Sequence, residues 1–134
     1  MMDLGKEAEE LVRRAEAAAG KAWAPYSGFR VGAAIRGASG AIHVGVNVEN
    51  ASYGLTMCAE RVALGCAVSA GEREFTALAI AAAGGHDAAP CGACRQALAE
   101  FSPRLAVYYR DGGRMHARSL EELLPDAFHG GGTP

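Results

Sequence analysis

Residues 29–48, FRVGAAIRGASGAIHVGVNV, read as two short apolar strands joined by a turn at Gly37-Ala38-Ser39-Gly40. Val, Ile and Phe on either side of a Gly/Ser cluster are the mark of a β-hairpin, here Phe29–Ile35 paired with Ala41–Val48. Upstream, Leu4, Ala8, Leu11, Val12, Ala15 and Ala19 fall on one helical stripe, with charged residues on the other faces. Gly20 stops that helix, and the turn Pro25-Tyr26-Ser27-Gly28 feeds the hairpin. Downstream the spacing predicts a helix over 58–70, a strand over Phe75–Ala83, a helix over Gly92–Phe101 and a strand over Leu105–Tyr109. After the turn Asp111-Gly112-Gly113 come a short strand to Arg118 and a last helix opened by Ser119, with Glu121 and Glu122 in its first turn. The expected order is α-β-β-α-β-α-β-β-α: an α/β chain with a mixed five-stranded sheet flanked by helices.

The 134 residues are expected to form one domain, 1–134, with the glycine-rich end at 130–134 a disordered tail. Half of the residues are hydrophobic and the net charge is −2, so neither sign dominates. A duplex or single strand held by its phosphates calls for a basic face, and no apolar run reaches the length of a membrane span. Neither nucleic acid nor membrane is an expected partner. The charged opening Met1–Glu7 lacks the features of a secretion signal, and a reducing cytoplasm would keep thiols available for metal.

Chemistry concentrates in a split cysteine constellation, Cys58-Ala59-Glu60 and Pro90-Cys91-Gly92-Ala93-Cys94. A lone Cys-x-x-Cys can be a redox pair or half of a structural zinc knot. A structural knot needs four ligands. The remaining thiol, Cys66, lies two helical turns beyond Cys58 among Ala63, Leu64, Ala67 and Val68, and reads as core packing. His43, His86, His116 and His129 read as exposed or incidental. Three thiols and no fourth ligand describe one zinc ion per chain with an open position. Each cluster falls where a loop enters a helix, and free N–H groups there favour thiolates. The spacing Cys-x-Glu with Pro-Cys-x-x-Cys is that of zinc nucleobase deaminases, with Glu60 as the proton carrier. Three thiolates against one divalent ion leave a formal charge of −1, which raises the pKa of bound water. Arg61, directly after Glu60, is the expected positive compensation, with Arg95 second.

The segments PYSGFRVGAA, VGVNVENASYGLTMCAERVAL, APCGACRQ and ELLPDAF, spread from Pro25 to Phe128, resemble the small homotetrameric cytidine deaminases of nucleoside salvage. The resemblance implies a three-layer cytidine-deaminase-like fold and hydrolysis of cytidine and 2′-deoxycytidine to the uridines with release of ammonia. It implies that Asn47 and Glu49 bind the ribose hydroxyl, that Phe29 packs against the nucleoside and that the backbone at Ala59 reads the pyrimidine edge. It further implies that Ala51, Tyr53 and Phe128 reach a neighbouring subunit's site in a homotetramer. Residues two apart on a strand share a face, so Asn47 and Glu49 can converge on one sugar, although a solvated strand end would look the same.

Two rivals remain. A blasticidin-type or other small-base zinc deaminase would share the zinc core but is not expected to carry the Asn-Val-Glu-Asn segment. A non-catalytic zinc module would staple two helices, and three ligands with an adjacent glutamate oppose it.

Overall fold

The computed structural model describes residues 5–131. Its elements are α1 (Lys6–Ala19), β1 (Val31–Gly37), β2 (Ile42–Val46), α2 (Ala59–Ser69), β3 (Phe75–Ala82), α3 (Gly92–Ala99), β4 (Ala106–Asp111), β5 (Arg114–Ser119) and α4 (Leu120–Leu123). The order is the one expected. Two 3₁₀ turns, Tyr53–Leu55 and Ala83–Gly85, were not foreseen. Leu4 and the last three residues of the expected tail lie outside the described residues.

The strands form one sheet in the order β2-β1-β3-β4-β5. Every neighbouring pair is antiparallel except β3 and β4. Parallel neighbours need a crossover, and α3 supplies it. The end of β3 and the start of α3 therefore lie together beyond the carboxyl end of the central strand, where an α/β architecture leaves room for a site.

Helices cover both faces. Leu11 and Ala15 of α1 pack on Ala34, Ala77 and Ala79 on one side. On the other, Ala59, Ala63, Leu64 and Ala67 of α2 and Leu98 of α3 pack on Ala33, Ile35, Leu78 and Val107. Two glycines of the hairpin set how closely the helices approach. A Cβ on Gly32 would lie 2.1 Å from the Ala15 carbonyl oxygen, and one on Gly45 would lie 2.3 Å from the Ala63 nitrogen. Each helix thus seats its backbone directly on the sheet, one on each face.

The first strand runs on to Gly37 but starts two residues later than expected, and the second is cut to Ile42–Val46, because a side chain replaces part of the ladder. The Asn47 carboxamide accepts from Val31 N–H (2.9 Å) and donates to the Phe29 carbonyl (2.8 Å), so β1 begins at Val31. Beyond β2 the chain persists only as single bridges from Val48 to Trp23 and to Met57. At the other end of the chain Ser119 and Glu122 form a reciprocal capping box that opens α4.

Two readings of side chains need correcting. Cys66 is exposed, not in the core. In α2 nearly every position is Ala, Gly, Val, Leu or Cys, so the hydrophobic contrast that would identify the buried face is weak. His43 is neither exposed nor incidental: its Nε2 lies 3.2 Å from a Glu72 carboxylate that also accepts from the Ser39 hydroxyl at 2.5 Å.

Candidate metal centre and active site

Cys58 is the N-cap residue of α2 and Cys91 that of α3. Cys94 sits in the first turn of α3, and its backbone N–H donates to Cys91 Sγ at 3.4 Å. The sulfurs of Cys58 and Cys91 are 3.6 Å apart, those of Cys91 and Cys94 3.0 Å, and all three lie within 4.8 Å of one another. Residues 33 and 36 positions apart in the chain are thus delivered to one point by two helix starts. Among the described residues no other group of three or more Cys, His, Asp or Glu side chains converges in this way. Three sulfur donors without a fourth protein ligand fit an open zinc site and leave a structural knot unfinished.

The thiols do not ionise alike before metal arrives. Hydrogen bonding from Cys94, and then from Cys91 and Arg61, brings Cys58 down to about 5 against the opposing effect of burial. Cys94 is pushed up, first by its bond to Cys58, then by its burial and by the Glu60 charge. One negative charge is comfortable in this cluster and a second is not, so a cation is what would allow all three to act as thiolates.

Glu60 is 4% exposed, and burial raises its carboxyl above the ordinary range, with the Cys58 charge adding to the effect. A glutamate so placed holds its proton to higher pH than a surface one, which suits it to carrying a proton. Arg61 Nη2 lies 4.0 Å from Cys58 Sγ and 3.5 Å from the Thr56 carbonyl. Arg95 turns elsewhere, donating from Nε to the Pro90 carbonyl (2.9 Å) and from Nη1 to that of Leu123 (2.7 Å).

Cys58, Ala59, Glu60, Cys91, Phe29 and Asn47 line one cleft of about 180 Å³. Val31, Thr56, Ile80, Ala88 and Ala89, which sequence reasoning missed, complete its wall. Ile80 and Ala88 flank the strand-to-helix crossover, and that topology was the available signal. Glu49 is not in this wall. Its carboxylate accepts from the N–H groups of Tyr26 (2.9 Å) and Ser27 (3.1 Å) and from the Ser27 hydroxyl. The Ser27 hydroxyl is the chief reason its carboxyl is held below the usual range. Ala51, Tyr53 and Phe128 are exposed outside the cleft, with Tyr53 75% and Phe128 76% accessible. A larger cleft of about 480 Å³ lies between α1, β2 and α2, but Arg14 and Lys21 are its only titratable lining groups, and no nucleophile or metal donor faces it.

A family model for the cytidine and deoxycytidylate deaminase zinc-binding region matches residues 5–110. A cytidine deaminase of Halalkalibacterium halodurans is 45% identical over 120 residues, covering 88% of this chain and 91% of that protein. The crystal structure of a cytidine deaminase from Burkholderia pseudomallei superposes with a TM-score of 0.83 at 48% identity, over 90% of this chain and 98% of that one. That of the Mycobacterium tuberculosis cytidine deaminase gives 0.84 at 40% identity, over 93% and 99%.

Proposed function

The chain belongs to the cytidine and deoxycytidylate deaminase family, and on that premise we propose that it hydrolyses cytidine and 2′-deoxycytidine to the corresponding uridines and ammonia. The observation that carries this reading is the convergence of three helix-start thiols beside a buried glutamate at the head of one cleft.

Cys58, Cys91 and Cys94 would hold one zinc ion, which when bound supplies Lewis-acid activation of water. Glu60 accepts a proton from the attacking water, passes it to the ring nitrogen and later returns a proton to the departing amine. The carbon that carried the amine gains a carbonyl oxygen from water, and ammonia leaves. Phe29, in the cleft wall, would pack against the base, and the backbone at Ala59, also in that wall, would read the pyrimidine edge. Asn47, already braced between Phe29 and Val31, keeps one amide hydrogen for a ribose hydroxyl, and Glu49, whose carboxylate also accepts from the 26–27 turn, would accept from the same hydroxyl. Arg61 offsets the excess negative charge of the thiolates.

The outward-facing Tyr53, Leu55, Met57 and Phe128 support self-association, with Ala51, Tyr53 and Phe128 completing a neighbour's cleft in a homotetramer. We read the whole chain as one domain working in the cytoplasm. Among the described residues no helix is long and apolar enough to cross a membrane.

The test is to incubate the purified protein with cytidine and, separately, with free cytosine, following ammonia and zinc per chain. Uridine from cytidine, little turnover of cytosine and about one zinc per chain are expected. Zinc without any deamination would support the stapling module, and comparable turnover of cytosine would point to a small-base deaminase. Sedimentation at assay concentration checks the assembly, and a fully active monomer would contradict the shared cleft.

A further inference from the structure

Arg95 and Gln96, adjacent on α3, both reach back to the C-terminal segment. Arg95 spans two carbonyls, that of Pro90 immediately before Cys91 and that of Leu123 at the last residue of α4. Gln96 grips Phe128 reciprocally: its Nε2 donates to the Phe128 carbonyl (2.9 Å) and its Oε1 accepts from the Phe128 N–H (3.3 Å). The amide of Gln96 stands in for a strand neighbour that this stretch does not have.

The segment needs such partners. Helix α4 has four residues, so its carbonyls are almost all terminal ones without intrahelical donors. Beyond it, residues 124–128 form no helix or strand, and Asp126 takes a left-handed φ of 56°. Leu123, Leu124 and Ala127 pack partly against the core, which gives the segment adhesion but not a register. Directional bonds from one rigid helix turn can supply that register. The same turn begins with two of the three thiols, so whatever orders Cys91 and Cys94 also orders the base from which the segment is held.

We propose that Arg95 and Gln96 are positioning residues that join the Cys91–Cys94 turn to the segment Leu123–Phe128, so that loading of the metal and ordering of the outward-facing Phe128 reinforce each other. Arg95 fixes the Pro90–Cys91 peptide and the end of α4 with one planar group. Gln96 then fixes the backbone of residue 128 and hence where its ring points. The metal arm of this proposal rests on the zinc reading above; the tether itself does not.

Two measurements, neither using substrate, test it on the zinc-loaded protein. The first follows transfer of zinc to the chromogenic chelator pyridylazoresorcinol. Loss of a group that orients a metal ligand costs on the order of tenfold or more in metal retention, so Arg95→Ala should release zinc about tenfold faster. Gln96→Ala should also release zinc faster, by a smaller factor than Arg95→Ala, because it reaches the ligand loop only through the ordering of Phe128. The second follows backbone hydrogen exchange at 124–128. Both variants should lose protection there, and in the unaltered protein stripping the zinc should reduce protection of the Phe128 amide, since coupling between two sites is reciprocal.

If Arg95→Ala does not fold, Arg95→Lys, which cannot span both carbonyls, and the zinc-stripping experiment on the unaltered chain still decide the matter. Exchange at Phe128 that is indifferent to zinc would overturn the coupling. Parent-like protection in Gln96→Ala would overturn the grip on Phe128. A protein that binds zinc and shows the coupling but deaminates nothing would sink the proposed function while leaving this inference standing.

Discussion

The two faces of the hairpin are built by the same device and used differently. On one face α1 sits down on β1 at Gly32, and on the other α2 sits down on β2 at Gly45. The α1 face holds Leu11, Ala15, Ala34, Ala77 and Ala79, with no thiol or carboxylate among them. The α2 face has a larger core that includes Ile35, Phe75, Leu78 and Leu98, and its helix begins with Cys58 and carries Glu60 in the first turn. Close approach stabilises both. Only on the second face does it also fix the distance between a helix start and the thiols of α3, so chemistry depends there on the same packing that elsewhere serves stability alone.

The sharpest break of that comparison is chemical. Glu60→Gln preserves size and removes the proton carrier, so kcat on cytidine should fall about a thousandfold while zinc per chain is unchanged. Substantial residual turnover would assign the proton to another group and return α2 to the status of α1.

A paired experiment comes next. Forcing a methyl between helix and sheet costs roughly 1–3 kcal/mol in either place, so Gly32→Ala and Gly45→Ala should destabilise to similar extents in denaturant. At a temperature where both remain folded, Gly45→Ala should lose activity and zinc affinity and Gly32→Ala should keep both. Equal kinetic losses would mean that the face of the sheet does not matter and that the helices move as one.

What the sequence revealed, and what it hid, divides along the same line. The alternation of helix and strand was legible because each element has its own period, and the metal cluster was legible because zinc ligands must come in fixed short spacings. The tightness of the Gly32 and Gly45 contacts was not, since it depends on two segments distant in the chain. Cys66 was misplaced because a helix made almost wholly of small and apolar residues shows no stripe to read. Asn47 reads as a polar strand end, but which backbone groups it braces is settled only when β1 arrives beside it. Glu49 is two residues further on, across the bridged Val48, and which donors its carboxylate meets is settled only when the 26–27 turn arrives beside it.

Arg61 tests the electrostatics of the α2 face more gently. Its guanidinium lies against Cys58 Sγ, and Arg61→Ala should lower kcat about tenfold with zinc still bound. The Arg61→Lys variant should recover part of the loss, because charge returns without the guanidinium's geometry. Unchanged kinetics in both would mean that the thiolates need no compensation from this residue.

The smallest effect is expected at the far end of the hairpin, where neither face carries chemistry. The Glu72 carboxylate accepts from the Ser39 hydroxyl and lies 3.2 Å from His43 Nε2, and these bonds hold its carboxyl below the usual range. A carboxyl depressed in the folded state contributes stability above its unfolded value of about 4.3, and that contribution fades as the pH drops through the lower folded value. Glu72→Gln should therefore melt below the parent at pH 7, with the gap narrowing steadily as the medium is acidified below about pH 4. Zinc loss in acid affects parent and variant alike and cancels in the difference. Because α2 reaches this corner only with its last turn, kcat at neutral pH should match that of the parent. A variant that lost turnover in step with its melting temperature would show that the turn end of the hairpin is mechanically linked to the thiol end, and that the sheet does not insulate one from the other.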